Sequence, residues 1–189
     1  MKATCVLVLL ASATIVAAGT WPVSQGDIRV NCPMTVGGSF DVKTNALSGS
    51  VSASSSRPTA LDGSLAVDLH TLDTGISLRN EHLRQQYLEV DKAPGYDQAV
   101  LTEIELQGLN RDAPQGKGSF TGSLALHGVS KSVTGPVEVR KGGAGLQVKA
   151  SFPVRLADYA IAEPRYLGVG VKDTVQVNVT FNVAQKGQP

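Results

Sequence analysis

The chain has 189 residues, a formal net charge of +1 at pH 7, and only 5% aromatic residues. Its length predicts one domain, and its near-neutral charge lacks the basic face of a nucleic-acid-binding protein. We therefore expect no nucleic-acid partner.

The first 18 residues have the pattern of a secretory signal peptide. A positive start at Lys2 precedes an apolar run, and small residues ending at Ala18 offer a cleavage site. Cleavage near Ala18 would remove one basic residue and leave basic and acidic side chains in equal number. We expect a periplasmic or secreted domain spanning residues 19–189. Its one remaining cysteine, Cys32, cannot form an internal disulfide and is predicted to be a small buried hydrophobe.

Strand-like alternation begins early in the mature chain. Residues 34–42 place Met34, Val36, Phe40 and Val42 on one face and polar residues on the other. A second run at residues 47–53 and a third at residues 64–69 repeat the pattern. Each run predicts a strand with one buried face.

Residues 68–88 change from alternation to a helical pattern. After the turn signal Asp73-Thr74-Gly75, the side chain of Asn80 is predicted to cap a helix. Leu83 and Tyr87 then fall four residues apart on one side. The stretch predicts one short amphipathic helix.

Five further apolar runs follow the helix. In the first, Val100, Thr102, Ile104 and Leu106 are predicted to share one face. The others lie at residues 120–126, 133–139, 146–152 and 174–183, and a glycine-rich hairpin turn at residues 141–145 joins the second of these four to the third.

About eight or nine two-faced strands predict an all-β, antiparallel sandwich or barrel with one short helix. Closure into a barrel is favoured because it removes exposed strand edges. The inward residues are mostly small or medium-sized, so a barrel of this kind would enclose unfilled apolar space that a hydrocarbon chain can occupy. A flattened sandwich would fill the same space with no ligand.

Several segments, in the same order, resemble the YceI-like family of bacterial periplasmic lipid-binding proteins. They are Leu72-Asp73-Thr74-Gly75, Arg79-Asn80-Glu81-His82-Leu83, a hairpin at residues 122–133, and the segments at residues 158–161 and 172–175. The resemblance implies a lipocalin-like barrel of about eight strands with a helix at one side. It also implies an apolar tunnel for a polyisoprenoid, such as an isoprenoid quinone or a polyprenyl chain. Whether the protein forms a homodimer is left open.

We expect the tunnel lining to come from the inward face of the strands and the helix. The predicted apolar residues are Phe40, Val42, Leu65, Val67, Leu83, Tyr87, Ile104, Phe120, Leu124, Val137, Val148, Phe152, Val177 and Phe181. Arg79 and His82 can meet a polar head group at the tunnel mouth or form hydrogen bonds between helix and barrel. No catalytic residue, metal or cofactor is predicted, because the spacing of His70, Asp73 and His82 matches no metal site and the inner faces are nearly free of acids and bases.

The chain departs from the family pattern at three places. Asn31-Cys32-Pro33-Met34 stands where the family has His-Ser, and Lys92-Ala93-Pro94-Gly95-Tyr96 stands where it has Lys-Tyr-Pro. Asn80 stands where the family usually has Asp. The amide would abolish acid or base chemistry but keep a structural role. Two alternatives to lipid binding are an enzyme acting on a lipid-like substrate and a filled barrel that serves as an interaction module.

Overall fold

A computed structural model describes residues 20–110, 114–143, 145–166 and 169–184. The predicted signal peptide, residues 1–18, lies outside the described residues. Within them, no helix is both long and apolar enough to span a bilayer.

Ten strands form one antiparallel sheet in the order β1-β4-β5-β6-β7-β8-β9-β12-β2-β3. Their bounds are β1 Thr20–Val23, β2 Gly26–Pro33, β3 Ser39–Thr44, β4 Leu47–Ala53, β5 Ala60–Asp68, β6 Gln98–Gln107, β7 Gly116–Leu126, β8 Val129–Lys141, β9 Gly145–Arg155 and β12 Thr174–Ala184. Two short strands, β10 Arg165–Tyr166 and β11 Val169–Gly170, pair separately. The predicted fold class, an all-β antiparallel barrel with one short helix, is confirmed.

The sheet curls into a barrel through a long bent hairpin. Strands β1 and β2 form one arm and β3 and β4 the other; the arms pair with each other from Thr20 opposite Ser52 to Pro33 opposite Ser39. Strand β12 joins the first arm through β2, and β5 joins the second through β4. Each arm counted as one strand gives eight around the barrel, in agreement with the predicted number.

A glycine lies at the bend in the first arm. Gly26 follows the break at residues 24–25, and a Cβ there would lie 2.7 Å from Cδ2 of Leu47 and 3.2 Å from Cβ of Phe181. The missing side chain lets Leu47 and Phe181 pack closely against the backbone of this arm.

Only the β4 half of the second arm pairs with β5, and a helical segment lies beside the β3 half. We call residues 69–90 the cap segment. It contains α1, Ser77–His82, which continues as a π-helical turn, Leu83–Tyr87. Backbone hydrogen bonds in both directions between Lys43 and Asp73 join this segment to β3.

Two predicted elements need correction. Residues 34–42 are not one strand, because Met34 to Gly38 form the turn between β2 and β3, with positive φ at Gly37 and Gly38 and with Val36 68% exposed. The real partner strand, β2, was missed, although its alternation of Ile28, Val30 and Cys32 with polar residues carried the signal.

The predicted face of β6 is wrong in its first half. A bulge between Thr102 and Glu105, with positive φ at Glu103, shifts the register by which β6 pairs with β7. An extra residue reverses the inward alternation. Leu101 therefore faces inward before the bulge and Ile104 after it, whereas Val100 lies outside the tunnel lining.

Candidate ligand tunnel

A cavity of about 960 Å³ runs inside the barrel. Its lining reaches from the cap segment at one end, at Ile76 and Leu78, to the connection between β6 and β7 at the other, at Leu109 and Pro114. We call these the cap end and the far end. Strand β7, with eleven residues, is long enough for a wall of about 35 Å. The cavity is therefore a tunnel along the strands.

All sixteen predicted site residues lie on the tunnel wall. They are Phe40, Val42, Leu65, Val67, Arg79, His82, Leu83, Tyr87, Ile104, Phe120, Leu124, Val137, Val148, Phe152, Val177 and Phe181. Most of these residues were predicted from the alternation of the strands, and they meet because the inward residues of a curled sheet line one cavity. Their contact with a ligand stays a prediction.

The same wall contains residues that the sequence analysis did not name as a site. Trp21, Ile28, Val30 and Cys32 reach it from the first arm, and Leu101 reaches it before the β6 bulge. Ile28, Val30 and Cys32 share a face by alternation and were within reach of sequence reasoning, whereas Trp21 lies on β1, before the break at residues 24–25. Leu101 could not be found in this way, because nothing in the local sequence indicates the bulge.

The lining carries no acidic residue and no lysine among the described residues. Cys32, a buried wall residue, has its pKa raised to about 12, mainly by burial and then by nearby Asp41, while the charge of Arg79 opposes the rise. Its thiol is therefore neutral. Cys32 behaves as the small hydrophobe that the sequence predicted.

The polar lining residues of the cap segment follow one face of its helix. Arg79, His82 and Gln86 lie at intervals of three and four residues and all reach the tunnel wall. The guanidinium carbon of Arg79 lies 4.3 Å from the centroid of the Phe40 ring on β3, a cation–π contact. We call these three residues the polar stripe.

Asn80 does not cap the helix, contrary to the prediction. Helix α1 begins three residues earlier, and no side chain caps it. Asn80 instead holds the preceding turn: its Oδ1 accepts from the backbone N–H and the hydroxyl of Thr74, both at 2.7 Å, and its Nδ2 donates to Oδ1 of Asp73 at 2.7 Å. These bonds agree with the structural role that the amide indicated. The hydrogen bond from Asn80, followed by one from the Gly75 backbone, lowers the pKa of Asp73.

The C-terminal end of the cap segment is fixed by a buried histidine. Nδ1 of His127, in the turn between β7 and β8, lies 2.9 Å from the carbonyl oxygen of Tyr159, and Nε2 lies 3.0 Å from Oε2 of Glu89. Lys92 donates to the same carboxylate oxygen at 2.7 Å. The hydrogen bond from Lys92 and, more weakly, the one from His127 lower the pKa of Glu89.

Across the described ranges, no group of three His, Cys, Asp or Glu side chains is arranged to hold a metal ion. His70 lies between two carboxylates, with Nδ1 3.1 Å from Asp68 and Nε2 2.9 Å from Asp91. These contacts link the start of the cap segment to the residues that follow it.

Comparisons with known proteins agree with this geometry. The model of the YceI-like domain matches residues 22–183. No curated protein sequence gives a significant match. Among solved structures, BcnA of Burkholderia cenocepacia is 18% identical, with a TM-score of 0.68 over 85% of this chain and 96% of that one.

Two further structures have the same fold. A polyisoprenoid binding domain from Saccharophagus degradans, implicated in plant cell wall breakdown, is 18% identical, with a TM-score of 0.65 over 88% of this chain and 98% of that one. The Campylobacter jejuni YceI protein is 17% identical, with a TM-score of 0.55 over 75% and 82%.

Proposed function

The chain belongs to the YceI-like family, and from that membership and its apolar tunnel we propose that it binds a polyisoprenoid lipid without transforming it. The tunnel of about 960 Å³ is the observation that carries the proposal. A similar barrel is described as a polyisoprenoid binding domain, which supports the same class of ligand here.

The energetics of burial support a long hydrocarbon chain. Transfer of each CH₂ group from water to the tunnel contributes on the order of 0.8 kcal/mol, so a five-carbon isoprene unit contributes roughly 4 kcal/mol. Association costs roughly 4 to 15 kcal/mol in lost freedom. A few units therefore offset that cost, and affinity should rise with chain length.

The chemistry of the wall supports binding over catalysis. A hydrolase or transferase needs an acid, base or nucleophile facing its substrate. The described lining offers no carboxylate or lysine, and the Cys32 thiol is held neutral. Its histidine, His82, has no carboxylate in that lining to orient it as a base. The other alternative, a filled barrel, conflicts with the volume of the tunnel.

We also propose that residues 1–18 are a signal peptide and that the protein acts in the periplasm or outside the cell. The apolar run and the small residues before Gly19 support this location. An isoprenoid quinone or a polyprenyl chain there is confined to membranes, so a soluble carrier would serve its transport or storage.

Competition by polyprenols of increasing length tests the proposed function. A fluorescent hydrocarbon probe is bound to lipid-free protein and then displaced by each alcohol. We expect the displacing concentration to fall steeply with each added isoprene unit until the tunnel is full. Displacement that does not depend on length would contradict binding along a tunnel.

A further inference from the structure

The charges of the tunnel wall are confined to one end. Among the described lining residues, the arginines Arg79 and Arg165 and the histidine His82 all lie at the cap end. The guanidinium of Arg165 is already paired with Glu163 at 2.7 Å and its side chain is 71% exposed. Arg79 is different, because it is half-buried and its charge reaches the interior, where it acts on the Cys32 thiol.

No described protein group forms a salt bridge with Arg79. In the part of the chain that the structure describes, neither a carboxylate nor a carbonyl accepts a hydrogen bond from its guanidinium, which lies over the Phe40 ring. His82 and Gln86, the other members of the polar stripe, likewise have no side-chain partner within those residues. Among the described residues, the only buried side-chain nitrogen or oxygen without a partner is the hydroxyl of Tyr159, so the guanidinium nitrogens of Arg79 reach solvent. They are therefore available for charge-assisted hydrogen bonds to an anion at the mouth of the tunnel.

The spacing of the three polar-stripe residues suits the head group of a lipid whose tail lies in the tunnel. Arg79 and His82, three residues apart on α1, have Cβ atoms within about 6 Å, so one oxyanion can bridge them. Gln86 lies about 10 Å along the helix from Arg79. The hydrocarbon part of the ligand would then extend past Leu83 into the apolar barrel.

We propose that the polar stripe is a head-group site that selects lipids with an oxyanion head, such as a phosphate monoester, over neutral lipids with the same tail. This proposal rests on the proposed function and adds an orientation, with the head at the cap end and the tail toward the far end. The described wall offers basic side chains to the head at the cap end alone. The opposite orientation would place an anion among leucines and neutral polar groups such as Thr59, with no charge to pair with it.

The test compares a polyprenyl phosphate, the polyprenol of equal length, and inorganic phosphate, each titrated into lipid-free protein. We expect the polyprenyl phosphate to bind about tenfold more tightly than the alcohol, as a charge-assisted hydrogen bond at a half-exposed site allows. The preference should shrink as salt is added, because the site reaches solvent. Inorganic phosphate should bind far more weakly than either lipid.

Variants separate the head-group site from the tunnel. Arg79→Gln should abolish the preference while the affinity for the alcohol stays within about twofold, and Arg79→Lys should retain part of the preference. Arg29→Gln is the matched control, since Arg29 lies on β2 outside the lining and forms only a 3.8 Å salt bridge with Asp41. It should change neither affinity.

Each outcome decides between the two proposals. Equal binding of phosphate and alcohol by the wild type, or an equal loss of both in Arg79→Gln, would overturn the head-group site and leave the tunnel intact. Failure of both lipids to bind would overturn the proposed function as well. Inorganic phosphate that binds as tightly as the lipid would show a free-anion site instead.

Discussion

The two ends of the tunnel differ in charge and in how they are built. At the cap end, a helical segment carries the polar stripe and is held by hydrogen bonds to β3 and to His127. At the far end, the described wall includes Leu61, Leu106 and Leu109, and its polar residues, such as Thr59, are neutral. The contrast shows that one barrel has a basic, polar environment at the cap end and an apolar, uncharged one at the far end. The described wall between the two ends is apolar and bears no charge.

The largest expected effect comes from closing the tunnel between its two ends. Ala150 lines the middle of the wall, between Val137 on β8 and Val179 on β12. Ala150→Phe should fill the lumen and weaken lipid binding at least about tenfold, since a bound chain would have to overpack against the ring. Titration with a long polyprenol measures the loss. Lys149→Phe, on the outer face of the same strand, should bind normally, and normal binding by Ala150→Phe would show that the ligand does not pass that point.

A second comparison sets the aromatic middle of the barrel against the far end. The rings of Phe120 and Phe152 meet edge to face, with centroids 5.6 Å apart, and both are buried. Phe152→Ala should lower the free energy of unfolding by about 3 kcal/mol, whereas Leu109→Ala, at the half-buried far end, should cost about 1 kcal/mol. Urea denaturation of lipid-free protein measures both. Equal costs would mean that the two regions contribute alike to stability.

The anchor of the cap segment should give a pH dependence. Because the pKa of Glu89 is lower in the folded protein than its ordinary value of 4.5, its stabilising contribution is complete above that value and is lost as the pH falls through the lower folded pKa. Glu89→Gln should therefore be less stable than the wild type at pH 7, with the difference narrowing under acid conditions. Thermal unfolding of both proteins from pH 7 to pH 3 checks this. A difference in unfolding temperature that stays constant across that range would show that the charge of Glu89 does not stabilise the cap segment.

The smallest expected effect concerns the turn before the helix. Asn80→Asp would replace the amide donor to Asp73 with a second carboxylate, so the variant should unfold at a slightly lower temperature at pH 7. The deficit should shrink at a pH where one of the two carboxyls is protonated and can donate. Asn80→Ser would serve as a control that removes the amide without adding charge. A deficit independent of pH would indicate lost packing instead of repulsion.

The sequence predicted the barrel and most of its wall because alternation is a local signal. The runs that contain Phe152 and Phe181 each alternate cleanly, and their inward residues meet once the sheet curls. The β6 bulge and the true start of α1 could not be predicted in the same way. The bulge depends on the register between β6 and β7, which the alternation of either strand alone does not show. At α1, the side chain of Asn80 bonds back to Asp73 and Thr74 instead of capping a helix, and residue type alone does not distinguish these two roles.

The polar stripe, too, could be predicted only in part from the sequence. The spacing of Arg79 and His82 on a helix could be seen in the sequence, and a head-group role was one of two alternatives. The other alternative was hydrogen bonds from these two side chains to the barrel. Among the described residues neither side chain forms such a bond, and Arg79 instead lies over the Phe40 ring. The choice needed the fold, because it depends on what faces the helix across the tunnel mouth.

Native mass spectrometry of the protein, purified without detergent from cells, tests the central claim most directly. We expect a population heavier than the polypeptide by the mass of one lipid, which organic extraction releases as a molecule with an isoprenoid tail. The Ala150→Phe variant, purified in parallel, should lack this added mass. A wild-type protein that carries no lipid, and that takes up none when incubated with polyprenols, would contradict the account.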